Sequence, residues 1–104
     1  MLVLKYGTIN LMSKKHSNIF NAIQTRPDRS NIDWENFLGL LVFLGAEVKR
    51  QSGSAFGVRL NGVYAVFHKP HPGHVIYKSD LKRIRIFLKN AGIEKYGICI
   101  NTKR

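Results

Sequence analysis

Apolar side chains recur at helical spacing in the first half of the chain. Their pattern predicts a short amphipathic helix over 18–24, and a second helix that Ser30 caps at its N-terminus. Gly45 supplies a left-handed residue that ends this second helix. Leu40 and Phe43 make the second helix apolar on two sides. We therefore expect one side to pack on a sheet and the other on the first helix.

From residue 47 onward apolar positions alternate with polar ones, which is typical of strands. Three strands are predicted, over 47–50, 55–60 and 63–68. Asn61-Gly62 lies between the last two and is a strong signal for a two-residue hairpin turn. The strands are therefore expected to form one antiparallel sheet.

Alternation within the strands gives the sheet one apolar face, which the helices should cover. Arg59, Tyr64 and His68 lie on the opposite face, toward solvent or a ligand. A last helix is predicted over 80–90, with Ser79 as its N-cap. The predicted fold class is α+β, a three-stranded antiparallel sheet with helices on one face, in the order α-α-β-β-β-α.

The charge of the chain is high and unevenly distributed. Its 104 residues carry a net charge of +11, from 17 Lys and Arg against 6 acidic residues. Residues 1–48 hold five basic and four acidic side chains, whereas residues 49–104 hold twelve and two. With 44% hydrophobic residues, the chain is too apolar to be a disordered basic tail. The second half is therefore expected to contact a polyanion.

Length, cysteine content and hydropathy limit the organisation and location of the chain. Its length suits one domain, which we assign to residues 16–104, after an N-terminal extension over 1–15. The single cysteine, Cys99, cannot form an intrachain disulfide. No apolar run approaches the ~20 residues of a membrane span, and no signal peptide is recognisable. A cytoplasmic protein without a membrane partner is expected.

The last helix carries a row of cations, Lys78, Lys82, Arg85 and Lys89. Their spacing of i, i+4, i+7 and i+11 puts all four on one stripe of the helix, apart from its apolar face. No acidic residue is interleaved to pair them, so we expect them to bind nucleic-acid phosphates, with an affinity that falls as salt rises. A solvated helix face is the alternative. A basic protein–protein adaptor is disfavoured by the unpaired cations.

Three histidines, His68, His71 and His74, cluster in and after the third strand. A metal site is disfavoured, because Pro70 and Pro72 prevent a helix there and no cysteine or carboxylate lies nearby in sequence. No cofactor is expected. General acid or base chemistry on RNA suits an imidazole, which titrates near neutrality. The alternative is that one histidine packs, one caps a backbone group and one is solvated.

Three segments resemble, in this order, the HicA toxin family. They are the run KRQSGS over 49–54, His71-Pro72-Gly73 and the segment 80–93. The resemblance covers about residues 34–94. It implies a double-stranded-RNA-binding-like fold and a toxin of a type II toxin–antitoxin pair that cleaves mRNA without a metal. It also implies a HicB-like antitoxin as partner, in complexes that often assemble further.

Position 55 departs from the family pattern. HicA proteins usually depend on a histidine directly after the Gly-Ser pair, and this chain has Ala55 there. Three explanations compete: an inactivated variant, a branch in which His68 or His71 serves as the base, or an RNA-binding module that does not cleave. In the family's chemistry, the base deprotonates a 2′-hydroxyl that attacks the adjacent phosphorus, and cations stabilise the phosphorane. The residues expected to hold RNA beside this position are Lys49, Arg50, Ser54 and Arg59.

Overall fold

The computed structural model describes residues 14–93. Predictions for residues 1–13 and 94–104, among them most of the N-terminal extension and Cys99, lie outside the described residues. The elements are the helices α1 (Lys14–Gln24), α2 (Trp34–Phe43) and α3 (Lys78–Asn90), and the strands β1 (Glu47–Arg50), β2 (Ala55–Leu60) and β3 (Val63–His68). Their order is α-α-β-β-β-α, which confirms the predicted α+β class and is consistent with a double-stranded-RNA-binding-like fold.

The three strands form one antiparallel sheet in the order β1-β2-β3, with the predicted bounds. Asn61 and Gly62 both have positive φ, 50° and 84°, as the two central residues of a type I′ hairpin turn require. This turn sets the register of β2 and β3, in which Arg59 faces Tyr64. Apolar and polar residues therefore separate onto the two faces of the sheet as their alternation predicted.

The helices cover the apolar face of the sheet. Val58, Leu60 and Phe67 of the sheet are buried there. The Phe67 ring meets Phe37 of α2 and Phe87 of α3 edge-on, with ring centroids 5.8 and 5.5 Å apart. This one side chain therefore joins both helices to the sheet.

Helix α2 packs on two sides, as its sequence predicted. Leu40 and Leu41 are fully buried, whereas Phe43 is 36% exposed. The Phe43 ring stacks on His16 of α1, with ring centroids 4.5 Å apart. Gly45 follows the helix with a φ of 97°, so the predicted left-handed end is confirmed.

The N-cap of α2 is Asp33, and the prediction of Ser30 was wrong. Asp33 Oδ2 accepts a hydrogen bond from the Asn36 N–H at 3.1 Å. The chain is still extended before α2 because it pairs with the segment that precedes α3. In that pairing the Ile76 N–H donates to the Ile32 carbonyl at 2.8 Å. A contact between distant segments, rather than the first available cap, therefore decides where this helix begins.

The other two helices begin before their predicted starts. Helix α1 begins at Lys14, so Lys14 and Lys15 of the expected extension are helical. Helix α3 begins at Lys78, after Tyr77 as N-cap, and the prediction of Ser79 as N-cap was wrong. Tyr77 is extended, with a ψ of 141°, and its hydroxyl bonds to the preceding loop. The Tyr77 side chain makes no cap hydrogen bond, and its backbone carbonyl accepts from the Asp80 N–H at 2.9 Å.

Candidate functional site

Ser54, Ala55 and His68 meet at one end of the sheet. Ala55 begins β2 and lies directly opposite His68, the last residue of β3, on the face away from the helices. Ser54 Oγ lies 3.3 Å from His68 Nδ1. The Lys69 N–H donates to the Ser54 carbonyl at 2.8 Å, which extends the pairing of the two segments beyond the strands. The residue that faces position 55 is therefore itself a histidine in contact with a hydroxyl.

A cleft of about 470 Å³ opens beside this pair, between the β1–β2 turn and the loop after β3. Arg50 Nε donates a hydrogen bond to the Gly53 carbonyl at 3.2 Å. The backbone of His71 is held by Tyr77, whose hydroxyl donates to the His71 carbonyl at 3.1 Å. The residues that line the cleft are Arg50, Gly53, Ser54, Lys69, Pro70, His71 and Gly73. The fold thus brings a predicted cation and a predicted imidazole into one cleft with Ser54.

The face of the sheet away from the helices, which we call the open face, carries a second polar surface farther along the strands. Lys49 lies opposite Gly57, and Arg59 lies opposite Tyr64. The guanidinium carbon of Arg59 is 5.3 Å from the centre of the Tyr64 ring. His68 lies on the same face at the end of β3, so the predicted grouping of Arg59, Tyr64 and His68 is confirmed.

The fold leaves three of the four cations on α3 exposed and pairs the fourth with a carboxylate. Lys78, Lys82 and Lys89 are exposed. The Arg85 side chain is only 10% exposed, and its Nη1 lies 3.0 Å from Asp28 Oδ1. The expectation of four unpaired cations was therefore wrong for Arg85, because an acidic residue in the loop after α1 reaches it.

A cleft of about 390 Å³ lies beside this row, at the junction of α1 and α3. Arg26 lines it together with Lys82 and Lys89, and we call these three residues the α3 basic surface. Sequence reasoning missed Arg26 because its position beside α3 depends on how α1 packs. The surface therefore combines cations from two elements.

His74 takes part in the N-cap of α2. Its Nδ1 lies 2.9 Å from Asp33 Oδ1. Burial opposes ionisation of Asp33, but hydrogen bonds from the Asn36 N–H and from His74 outweigh it and lower the pKa of Asp33. His74 therefore serves the local fold. Between residues 14 and 93, no group of three or more His, Cys, Asp or Glu side chains could hold a metal ion.

The region that forms this site matches a family model. The model of the family described as the HicA toxin of bacterial toxin–antitoxin matches residues 34–93, which is more than half of the chain. The chain belongs to the HicA toxin family. No curated protein and no solved structure matches the chain significantly. Family membership makes the protein the toxin of a toxin–antitoxin system and implies an antitoxin as its partner.

The HicA match begins at the first residue of α2 and ends just after α3, so it includes the sheet and excludes α1. Arg26 and Asp28 lie outside the matched region although both adjoin α3. The assignment of one domain to residues 16–104 stays a prediction. In the described part of this HicA toxin, no helix is long and apolar enough to cross a membrane.

Lys69 is a cation of this HicA site that the sequence analysis did not single out. It lines the cleft with Arg50 and His71, and its Nζ lies 3.8 Å from Glu35 Oε2 on α2. Its position directly after His68, at the end of β3, was the sequence signal that could have identified Lys69 as a site residue. The cleft is therefore lined by two cations, Arg50 and Lys69, together with His71.

Proposed function

We propose that this HicA toxin binds mRNA and cleaves it at the end of the sheet, with His68 as the general base. The observation that carries the proposal is the 3.3 Å contact between Ser54 Oγ and His68 Nδ1, beside Ala55. Ala55 has no group that can move a proton, so a base at this point must come from a neighbouring residue. His68 is the ionisable side chain that faces Ala55 in the strand register.

With one tautomer of His68, the contact with Ser54 leaves Nε2 free to act as a base. When Nδ1–H donates to Ser54 Oγ, Nε2 carries the free electron pair. Nε2 would accept the proton of a 2′-hydroxyl, and the 2′-oxygen would bond to the adjacent phosphorus. The bond between that phosphorus and the 5′-oxygen then breaks. The products are a 2′,3′-cyclic phosphate and, after a proton reaches the leaving oxygen, a 5′-hydroxyl.

The cleft that Ser54 lines, next to His68, supplies the other groups that this reaction needs. We assign His71, in its protonated form, as the acid that delivers a proton to the leaving 5′-oxygen. Arg50 and Lys69 are assigned to the phosphorane oxygens, where negative charge develops. All of these groups belong to this chain, in agreement with the metal-independent cleavage that the family resemblance implies.

The remaining basic residues are assigned to binding RNA rather than to cleavage. Cations that meet phosphates contribute affinity that depends little on sequence and falls with salt. Arg85 is excluded from this group because its guanidinium is paired with Asp28. The residues assigned to phosphate binding are Lys49, Arg59, Lys78, Lys82 and Lys89.

The antitoxin partner is proposed to be HicB-like and to cover the open sheet face or the cleft. With a net charge of +11, the toxin attracts a partner with an acidic surface, because opposite potentials favour association. Such a partner would exclude RNA from the same face. The cytoplasm, where mRNA is translated, is the proposed location.

RNA binding without cleavage is the second candidate function, and Ala55 is the observation that favours it. The family usually has its proton-transferring histidine at this position, and alanine cannot replace it. The cationic sheet face and the α3 basic surface do not depend on position 55. Binding could therefore persist in a chain that does not cut.

Cleavage of an end-labelled transcript in EDTA tests the proposal. The variants are His68→Ala, His71→Ala and Ala55→His, with Ala55→Arg as a control for added charge. We expect slow cleavage by the unaltered chain and a loss of about 100-fold or more in His68→Ala, because a general base contributes that much. Ala55→His should cleave faster than the unaltered chain, and Ala55→Arg should not.

Other outcomes assign the function differently. Cleavage that survives His68→Ala and is abolished by His71→Ala would make His71 the base. If neither the unaltered chain nor Ala55→His cuts, while both bind RNA with an affinity that falls with salt, the second candidate is supported. Cleavage by Ala55→His alone would identify this sequence as an inactivated form of the enzyme.

A further inference from the structure

The Tyr64 side chain lies across the open face of the sheet. A Cβ atom at Gly57 would sit 2.5 Å from the Tyr64 hydroxyl and 3.2 Å from its Cε1, so the ring passes over the backbone of β2 where no side chain stands. The Gln51 amide donates a hydrogen bond to the Tyr64 hydroxyl. The ring is therefore held at its hydroxyl end, and the side chain is still 48% exposed.

Cations flank this ring. Arg59 lies over it at 5.3 Å, and Lys49 is exposed opposite Gly57. Glu47 contributes a carboxylate to the same face, opposite Arg59. A fixed aromatic ring between two cations matches the chemistry of a nucleotide, because the ring can stack on the base while the cations hold the phosphates.

We propose that Tyr64 is a stacking platform for an unpaired base, and that the RNA bound on this face is single-stranded. Bases within a duplex stack on one another and do not offer their faces, whereas bases of a single strand do. Because the Arg59 guanidinium lies over the Tyr64 ring, a base that stacks there takes its place, and Arg59 is then available to the adjacent phosphate. The inference rests on the proposed function and names its substrate class.

The platform lies on the same sheet face as the contact between Ser54 and His68. Tyr64 and His68 are both on β3, and at the rise of a strand their Cα atoms are about 13 Å apart. A base on Tyr64 is therefore a few nucleotides from a phosphate beside His68. Stacking at Tyr64 would then determine which phosphate of the strand reaches the cleft.

Binding of two fluorescein-labelled probes tests the platform. One probe is a single-stranded oligoribonucleotide with 2′-O-methyl groups, which block cleavage, and the other is the same strand annealed to its complement. Fluorescence anisotropy at fixed salt gives both Kd values for the full chain and for Tyr64→Leu and Tyr64→Phe. Phe43→Leu is the matched control, because Phe43 is an exposed aromatic residue of α2, away from the open face.

We expect Tyr64→Leu to raise the single-strand Kd about tenfold or more and to change the duplex Kd by less than about twofold. Tyr64→Phe keeps the ring and should stay close to the unaltered chain, and so should Phe43→Leu. Gly57→Ala gives a second test that keeps the tyrosine. Its Cβ would displace the ring, so it should weaken single-strand binding and spare duplex binding.

Two results would overturn the platform and leave the proposed function intact. These are an unchanged single-strand Kd for Tyr64→Leu, or an equal loss on both probes, in a chain that binds RNA. If the unaltered chain binds neither probe, the proposed function and the platform both fail, and the open face is left to a protein partner. Thermal unfolding of each variant confirms that any loss of binding is not a loss of fold.

Discussion

The His74 imidazole and the Asp33 carboxylate lie 2.9 Å apart, although 41 residues separate them in the chain. Asp33 is also the N-cap of α2. The Trp34 N–H donates to the His74 carbonyl at 2.7 Å, so side chains and backbone join the same two segments. The contact therefore anchors the end of the loop that carries His71 into the cleft.

The protein should become less stable at acid pH because the Asp33 carboxylate is protonated there. Burial opposes its ionisation, but hydrogen bonds from the Asn36 N–H and His74 outweigh it and hold the pKa of Asp33 below its ordinary value of 3.8. A carboxylate of this kind stabilises the fold above its unfolded pKa, and the contribution is lost as the pH falls through the folded value. We expect the unaltered chain to be more stable than Asp33→Asn near neutrality, and the two to converge below about pH 4.

Urea denaturation at a series of pH values measures this difference. Asn is also a good N-cap residue, so Asp33→Asn isolates the charge, whereas Asp33→Ala removes the cap and should cost about 1 kcal/mol at neutral pH. A stability difference between the unaltered chain and Asp33→Asn that is as large in acid as at neutrality would contradict the assignment.

Arg85 should contribute more to stability than to RNA binding. Its Nη1 donates to the Ile23 carbonyl at 3.1 Å and pairs with Asp28. We expect Arg85→Gln to lower the free energy of unfolding by about 2 kcal/mol, because a carbonyl and a carboxylate lose a charged donor. Lys89→Gln is the matched control on the exposed side of α3, and it should cost less than about 0.5 kcal/mol.

The same two variants should rank in the opposite order in an RNA-binding titration. Lys89→Gln removes an exposed cation and should weaken binding, whereas Arg85→Gln should bind nearly as well as the unaltered chain at a temperature where both are folded. A larger loss of affinity in Arg85→Gln than in Lys89→Gln would restore Arg85 to the phosphate-binding residues.

The α3 basic surface should give salt-dependent affinity for RNA of any sequence. The double variant Lys82→Gln with Lys89→Gln should weaken binding uniformly and reduce the slope of log K against log salt by about 1 to 2, since two phosphate contacts are lost. The matched control is Lys14→Gln with Lys15→Gln, which removes the same charge from exposed positions on α1. If both pairs change the slope equally, the effect is one of net charge, and α3 is not a specific contact surface.

Local signals in the sequence predicted the elements that depend on neighbouring residues. Alternation gave the three strands their bounds, and Asn61-Gly62 predicted the hairpin turn because few residues other than these accept two positive φ values in succession. The starts of α2 and α3 were not predictable in this way. They depend on the pairing of Ile32 with Ile76, which holds the chain extended just before both helices and is a contact between distant segments.

The sequence indicated which residues form the candidate site but not which residues each of them contacts. The sequence indicated His68, His71 and Arg50, while their meeting with Ser54 follows from the register of β2 on β3 and from the path of the loop. For Arg85, the structure contradicts what the sequence indicated. Its spacing on α3 indicated a free cation, and only the packing of α1 brings Asp28 to it.

By itself, the sequence determined the order of elements, the apolar and open faces of the sheet, the excess of positive charge in the second half and the alanine at position 55. These properties follow from the period of side chains along one element and from composition, which need no information about distant segments. The tertiary structure alone decided that Ser54 Oγ contacts the His68 ring, that Tyr64 lies over Gly57, and that Arg85 pairs with Asp28. Each of these depends on a distance between residues that only the packing of separate elements sets.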